Sequence, residues 1–203
     1  LIHHPEKSSA ADFAATLQSY ESDLFVVVAY GEILRKHILA MPKKGCISLH
    51  ASLLPKFRGA APIQRSIIEG ETETGVTIMH MAEKMDAGDM IEVVKVPIGM
   101  DTTYGELEQS LCKVGSEALL EVINRFEKGE VTATVQDHSK MTLAPKIELE
   151  ECQIDWKKPA QQLHNLVRGV NPEPGAWAMV EVKGKPLRLK INRTKFHSDR
   201  TGE

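Results

Sequence analysis

Residues 23–50, DLFVVVAYGEILRKHILAMPKKGCISLH, decide how this chain folds. They open on DLFVVVAY (23–30), a continuous apolar and β-rich run. Burial on both faces is the simplest account of such a run, as in a central parallel strand. Gly31 interrupts it. EILRKHILAM (32–41) then reads as a short helix stopped ahead of Pro42, because proline cannot donate to the helical ladder and disfavours helix in the residue before it. GCISLH (45–50) is a second buried strand. Strand, helix, strand is a βαβ unit with a right-handed crossover, so the fold class is α/β.

On the N-terminal side, residues 9–20 predict a helix. On the other side, GAAPIQRSIIEG (59–70) predicts a helix that tolerates Pro62 in its first turn. GVTIMHM (75–81) and DMIEVVKVPIG (89–99) predict strands flanking the loop AEKMDAG. Residues 102–128 carry Leu107, Leu111, Val114, Ala118, Leu119, Val122 and Ile123 at helical spacing. VTATVQ (131–136) reads as a late edge strand. PAQQLHNLVRGV (159–170) reads as an amphipathic helix, and WAMVEVKGKPLRLKIN (177–192) as a hairpin around Lys183-Gly184-Lys185.

These elements divide the chain into an α/β domain over 1–136, a linker over 137–155 without periodicity, and a small β domain beginning at 156. Neither domain is expected to be complete. A parallel sheet starting at DLFVVV has too few strands to cover both faces, and one helix with one hairpin makes no stable core.

At 42% hydrophobic and 26% charged residues the chain is globular rather than disordered. No apolar run is long enough to span a bilayer, so no membrane partner is expected. The three cysteines are scattered and form no CxxC, which argues against a disulfide framework or a zinc site and fits a reducing, cytoplasmic setting. Charge is uneven. Residues 1–155 hold 15 Lys and Arg against 24 Asp and Glu, whereas residues 156–203 hold 10 against 4. The basic end is either a solvated face or a surface for a polyanion.

The chemistry points to His50. Functional groups of open α/β sheets collect at the carboxyl ends of strands, and His50 ends its predicted strand. The loop after it is stiffened by Pro55, and Arg58-Gly59 lead into a helix N-terminus, where backbone N–H groups can hold an anion. Asp86, in the turn MDAGD, is the candidate carboxylate partner, with Asp89 competing. A carboxylate beside an imidazole favours the charged ring, which suits a group that takes a proton. Ser48 lies two residues before His50, on the same strand face, where a hydroxyl could donate to a developing oxyanion. No Gly-x-Ser-x-Gly elbow surrounds it, so it is not read as a nucleophile.

SLHASLLPKFRGAAPIQRSI (48–67), ETGVTIMHM (73–81), DAGDM (86–90) and TLAPKIELEECQIDW (142–156) resemble the folate-dependent formyltransferases. The resemblance runs from about Asp23 to Asn192. RGAAPIQRS and LAPKI…IDW favour the branch acting on charged tRNA over its sugar-nucleotide and purine relatives. The resemblance implies a Rossmann-like domain with a mainly parallel sheet, followed by the start of an OB-type barrel. It implies formyl transfer from 10-formyltetrahydrofolate to the α-amino group of initiator methionyl-tRNA, for translation initiation, by a monomer that needs no metal. The family's catalytic Asn, His and Asp fall on Ser48, His50 and Asp86, so Ser48 departs from the pattern. Folate contacts fall on Ser52, Leu53, Leu54 and Pro55, on Tyr30, Gly31, Ile33 and Leu34, and on Gly88. Arg58, Arg168, Lys183, Lys185 and Arg188 are the implied tRNA contacts. Two other readings are a formyltransferase for an amino sugar nucleotide or other small amine, and a degenerate domain that only binds folate or RNA.

Overall fold

The computed structural model of the chain describes residues 1–8, 10–195 and 197. A four-stranded sheet in the order β1-β2-β3-β4 forms the body, from β1 (Phe25–Val28), β2 (Cys46–His50), β3 (Glu73–His80) and β4 (Met90–Pro97). A hairpin of β5 (Ala176–Val182) and β6 (Lys185–Ile191) follows. Among the described residues, five α-helices connect or cover these strands: α1 (Ala11–Ser19), α2 (Lys36–Leu39), α3 (Pro62–Ile68), α4 (Tyr104–Lys128) and α5 (Ala160–Gly169).

The βαβ unit is present, with β1 parallel to β2 and Val28 beside Leu49. The sheet expected to be mainly parallel is, in this chain, mixed. β2 pairs antiparallel with β3, and β3 antiparallel with β4. The 81–89 connection is too short for the dozen-residue crossover that a parallel pair needs. β1 is also not buried on both faces. It forms the edge of the described sheet, with Val26 41% and Val28 51% exposed.

Two further elements are shorter than their sequence suggests. The helix expected over 32–41 shrinks to α2, while Ser8 holds the Glu32 carboxylate through its backbone N–H and its hydroxyl. VTATVQ forms no strand. It makes one bridge, in which Met90 and Thr134 exchange backbone hydrogen bonds of 2.8 Å.

Helix α4 covers β3 and β4. Val122 and Phe126 pack with Ile47, Ile78 and Ile91, and Leu107 and Leu111 pack with Ile67, Val76 and Val96. Its start is fixed by a reciprocal capping box between Thr103 and Glu106. A third cluster joins Cys152 and Ile154 to Val167, Val170, Ala176 and Ala178, and α5 lies against α3.

Residues 137–155, read as a linker, do not hang free. Arg58 N–H donates to the Thr142 carbonyl, Ala144 N–H to the Arg58 carbonyl, and Ala61 N–H to the Ala144 carbonyl. Arg65 then grips the carbonyls of Pro145 and Lys146 and the carboxylate of Glu151. The segment is a strap laid along the loop that follows His50. Ile154 is pinned by its N–H to the Trp177 carbonyl, whereas Trp156 stays exposed.

Candidate active site

His50 ends β2 and is 7% exposed. Its Nε2 lies 2.8 Å from the Phe57 carbonyl, and its Nδ1 faces Asp86 Oδ2 at 3.6 Å. A carbonyl oxygen only accepts, so Nε2 carries a proton and Nδ1 is the nitrogen that can gain one. The Phe57 carbonyl, rather than Asp86, therefore orients the ring. Asp86 is the carboxylate at the site; Asp89 is exposed and uses its backbone carbonyl to accept from His80.

The loop between β2 and α3 is tightly specified. Ser52 Oγ donates to the Lys56 carbonyl, and Thr77 Oγ1 donates to the Ser52 carbonyl while accepting from Leu54 N–H. Phe57 adopts φ +60°, and its N–H donates to Thr142 Oγ1. Gly59, at φ +129°, donates its N–H to Asp86 Oδ2 at 2.9 Å. A Cβ there would sit 2.6 Å from the Ala144 carbonyl oxygen, so both the backbone angle and the strap require glycine.

Asp86 sits in the left-handed region at φ +51°, which aspartate tolerates better than most residues. What secures its turn is Gln136, which is 3% exposed. Gln136 Nε2 donates to the carbonyls of Asp86 and Gly88, and its Oε1 accepts from Arg58 Nε and Nη2. Arg58 Nη2 also meets His138 Nδ1 at 2.9 Å. Gln136, His138, Thr142 and the Phe57 carbonyl were not among the residues expected at the site. The one sequence signal for Gln136 is a polar residue closing the alternating run VTATVQ.

Two of the expected RNA contacts are enclosed. Arg58, expected to meet RNA, is 8% exposed and committed to Gln136 and His138. Arg168, expected in the same role, is 6% exposed and bonded to the 99–102 loop. Lys183, Lys185 and Arg188 are exposed on the hairpin, with Arg188 stacked 4.3 Å above the Trp177 ring.

Of the expected folate wall, Ser52 has no exposed surface and Leu54 almost none, so they shape the loop from inside. Leu53 and Pro55 retain partial exposure. Gly88 is buried, and a Cβ there would come 1.7 Å from the His80 carbonyl oxygen, so glycine allows a close backbone approach. Tyr30, Gly31 and Ile33 are exposed and Leu34 half-buried, on a segment that leaves β1 at the end of the sheet where His50 lies. Ser48 is half-buried, and among the described residues its hydroxyl makes no hydrogen bond. Buried Cys46 has its thiol pushed up to about 11 by desolvation, which leaves it inert. Among the described residues, no group of three or more His, Cys, Asp or Glu is placed to hold a metal, and no helix is long and apolar enough to cross a membrane.

This arrangement can accept a proton at a buried imidazole, hold the resulting charge against a carboxylate, and offer a hydroxyl donor from the same strand. Comparison with known proteins fits that chemistry. The formyl transferase family model matches residues 3–123, and the model of the formyl transferase C-terminal domain matches residues 146–203. The chain is 64% identical to the methionyl-tRNA formyltransferase of Protochlamydia amoebophila, over 96% of this chain and 61% of that protein. It is 46% identical to that of Chlamydia pneumoniae, over 93% of this chain and 59% of that one. It thus spans about three fifths of the length of these curated relatives. An N-formyltransferase from Helicobacter canadensis, solved with folinic acid and dTDP-3-aminofucose, superposes with a TM-score of 0.77 at 19% identity, over 98% of this chain and 76% of that one. HypX from Aquifex aeolicus, solved with tetrahydrofolic acid, superposes with a TM-score of 0.71 at 24% identity, over 85% and 29%. At such identities the two structures speak for the Rossmann-like fold alone. With matches to both family models across most of its length, the chain belongs to the formyl transferase family.

Proposed function

We propose that this chain carries the catalytic centre of an enzyme that moves a formyl group from 10-formyltetrahydrofolate to the α-amino group of initiator methionyl-tRNA. The observation that carries the reading is His50, tied at Nε2 to the Phe57 carbonyl with Nδ1 turned to Asp86. The relatives named for this activity and the basic end of the chain support tRNA as the acceptor. We also propose the division into a catalytic domain to residue 136, the strap over 137–155, and an RNA-binding domain that begins at 156 and presents Lys183, Lys185 and Arg188.

In this mechanism the amine nitrogen bonds to the formyl carbon, and the carbonyl oxygen takes up negative charge. His50 Nδ1 receives the proton the amine loses, and Asp86 stabilises the imidazolium. The bond from the formyl carbon to the folate nitrogen then breaks, and that nitrogen takes back a proton. Leu53 and Pro55 with the Tyr30–Leu34 segment would flank the folate. Holding two substrates in register supplies a large share of the acceleration.

The Ser48 hydroxyl is free to donate to the oxyanion, but it is shorter than a carboxamide. An oxyanion donor is worth about 10²–10³ in rate, so Ser48→Asn is expected to raise kcat by some part of that factor. Unchanged turnover in single-turnover assays would show that position 48 does not reach the oxyanion. The function itself is tested by offering the intact protein formyl donor with charged initiator tRNA or with an amino sugar nucleotide. Formylation of the tRNA is expected; formylation of the sugar alone would overturn the reading.

A further inference from the structure

A cavity of about 580 Å³ opens between the N-terminal end of α4 and α5, and none of its walls belongs to the His50 site. His164, Arg168, Arg193, Lys195 and His197 line it, with Asp101 as the one carboxylate among its described lining residues. Arg168 stands out. Although 6% exposed, it donates only to neutral acceptors: Nε to Asn165 Oδ1 at 3.0 Å, and Nη1 to the carbonyls of Gly99 and Thr102 at 3.1 and 3.2 Å. Among the described residues, no carboxylate pairs with it and no hydrogen bond engages its Nη2.

Neither nearby described acid is bonded to Arg168, and Glu106 is ion-paired instead with Arg193 at 3.0 Å. Asp101 lies 3.4 Å from His164 Nε2 with its side chain 80% exposed. Glu106 accepts from Arg193 and from the Thr103 N–H. Burial pushes the Arg168 guanidinium down from its ordinary value, opposed only by the field of Asp101. A buried cation without a bonded counter-charge is costly, and an anion entering the cavity offsets that cost.

We propose that this cavity binds a phosphate group, held by Arg168 with Arg193 and Lys195. The guanidinium fork matches phosphate oxygens, and several converging cations suit a multiply charged oxyanion better than a single carboxylate. The positive end of the 25-residue helix α4, whose cap Thr103 lines the cavity, adds to the field. The phosphate is either a free one or a phosphodiester of bound RNA. In the second case the inference rests on the proposed tRNA substrate.

The test titrates the intact protein with inorganic phosphate by calorimetry, against chloride at matched ionic strength. Saturable binding at about 1 mM or tighter is expected. The double variant Arg193→Gln/Lys195→Gln alters exposed side chains and leaves the core untouched; it is expected to weaken phosphate binding at least ~10-fold. No saturable phosphate binding, or binding unchanged in the double variant, would overturn the proposal. Charged tRNA binding is then measured against salt. A slope of log K against log salt reduced by about 0.7–0.9 in the variant assigns the phosphate to the RNA backbone. An unchanged slope with phosphate binding lost assigns it to a free phosphate, which also upholds the site. Formylation by the unmutated protein is scored separately. Phosphate binding without formylation counts against the proposed activity and not against the cavity; formylation without phosphate binding counts the other way.

Discussion

His50→Ala is expected to lower the rate of formyl transfer by about 10²–10⁴-fold, the range that a positioned proton acceptor contributes. The loss should fall on kcat, because the ring is 7% exposed and offers little surface for ground-state binding. The truncation also leaves the Phe57 carbonyl without its 2.8 Å donor, so part of any effect could arise from a loosened loop. His50→Gln addresses this: a side-chain amide can still donate to that carbonyl, so stability should recover while the rate does not. Single-turnover kinetics with thermal melts of both variants make the comparison. Normal turnover in His50→Ala would remove His50 from the chemistry.

Gln136→Leu is expected to be the most disruptive single change outside the reacting groups. It removes the acceptor of buried Arg58 and the donor to the Asp86 and Gly88 carbonyls at once. Orphaning a buried polar group costs about 1–3 kcal/mol; because Arg58 keeps His138 as a partner and the freed carbonyls can relax, the combined loss is expected at roughly 2–4 kcal/mol, below the simple sum. For a chain of this size that lowers Tm by roughly 4–16 °C. Activity measured well below the new Tm should still drop, because the turn carrying Asp86 has lost its tie. Gln136→Glu separates the two roles. It keeps an acceptor for Arg58 but has no N–H for the carbonyls, so it should lose activity more than stability. A Gln136→Leu variant with unchanged Tm and kcat would show that the turn holds itself.

What could be read from the sequence was what local signals encode. The His50 strand end, the stiff loop, α4 and the β5–β6 hairpin depend on periodicity and on turn residues close by in the chain. The support of the site depends on residues far away. Gln136 lies 78 residues from Arg58, and Thr142 85 residues from Phe57. The 137–155 stretch lacks periodicity because it is held by backbone pairing and side-chain grips rather than by an amphipathic face. Arg58 and Arg168 were expected on the surface because arginine is mostly exposed, and only tertiary structure shows that both are enclosed. The antiparallel direction of β4 follows from the short link to β3, whereas the direction of β3 and the edge position of β1 needed the pairing itself.

The strap over the catalytic loop also sets a timetable. As the chain is made from its N-terminus, β2, α3 and α4 can assemble while residues 136–144 do not yet exist. His50 then lacks the fixed loop whose Phe57 N–H and Arg58 N–H wait for Thr142. Contacts this distant in sequence form late, after their loop-closure entropy has been overcome. A nascent or truncated chain ending near residue 130 would hold every expected catalytic residue and still present an unfinished centre, so competence arrives with the strap.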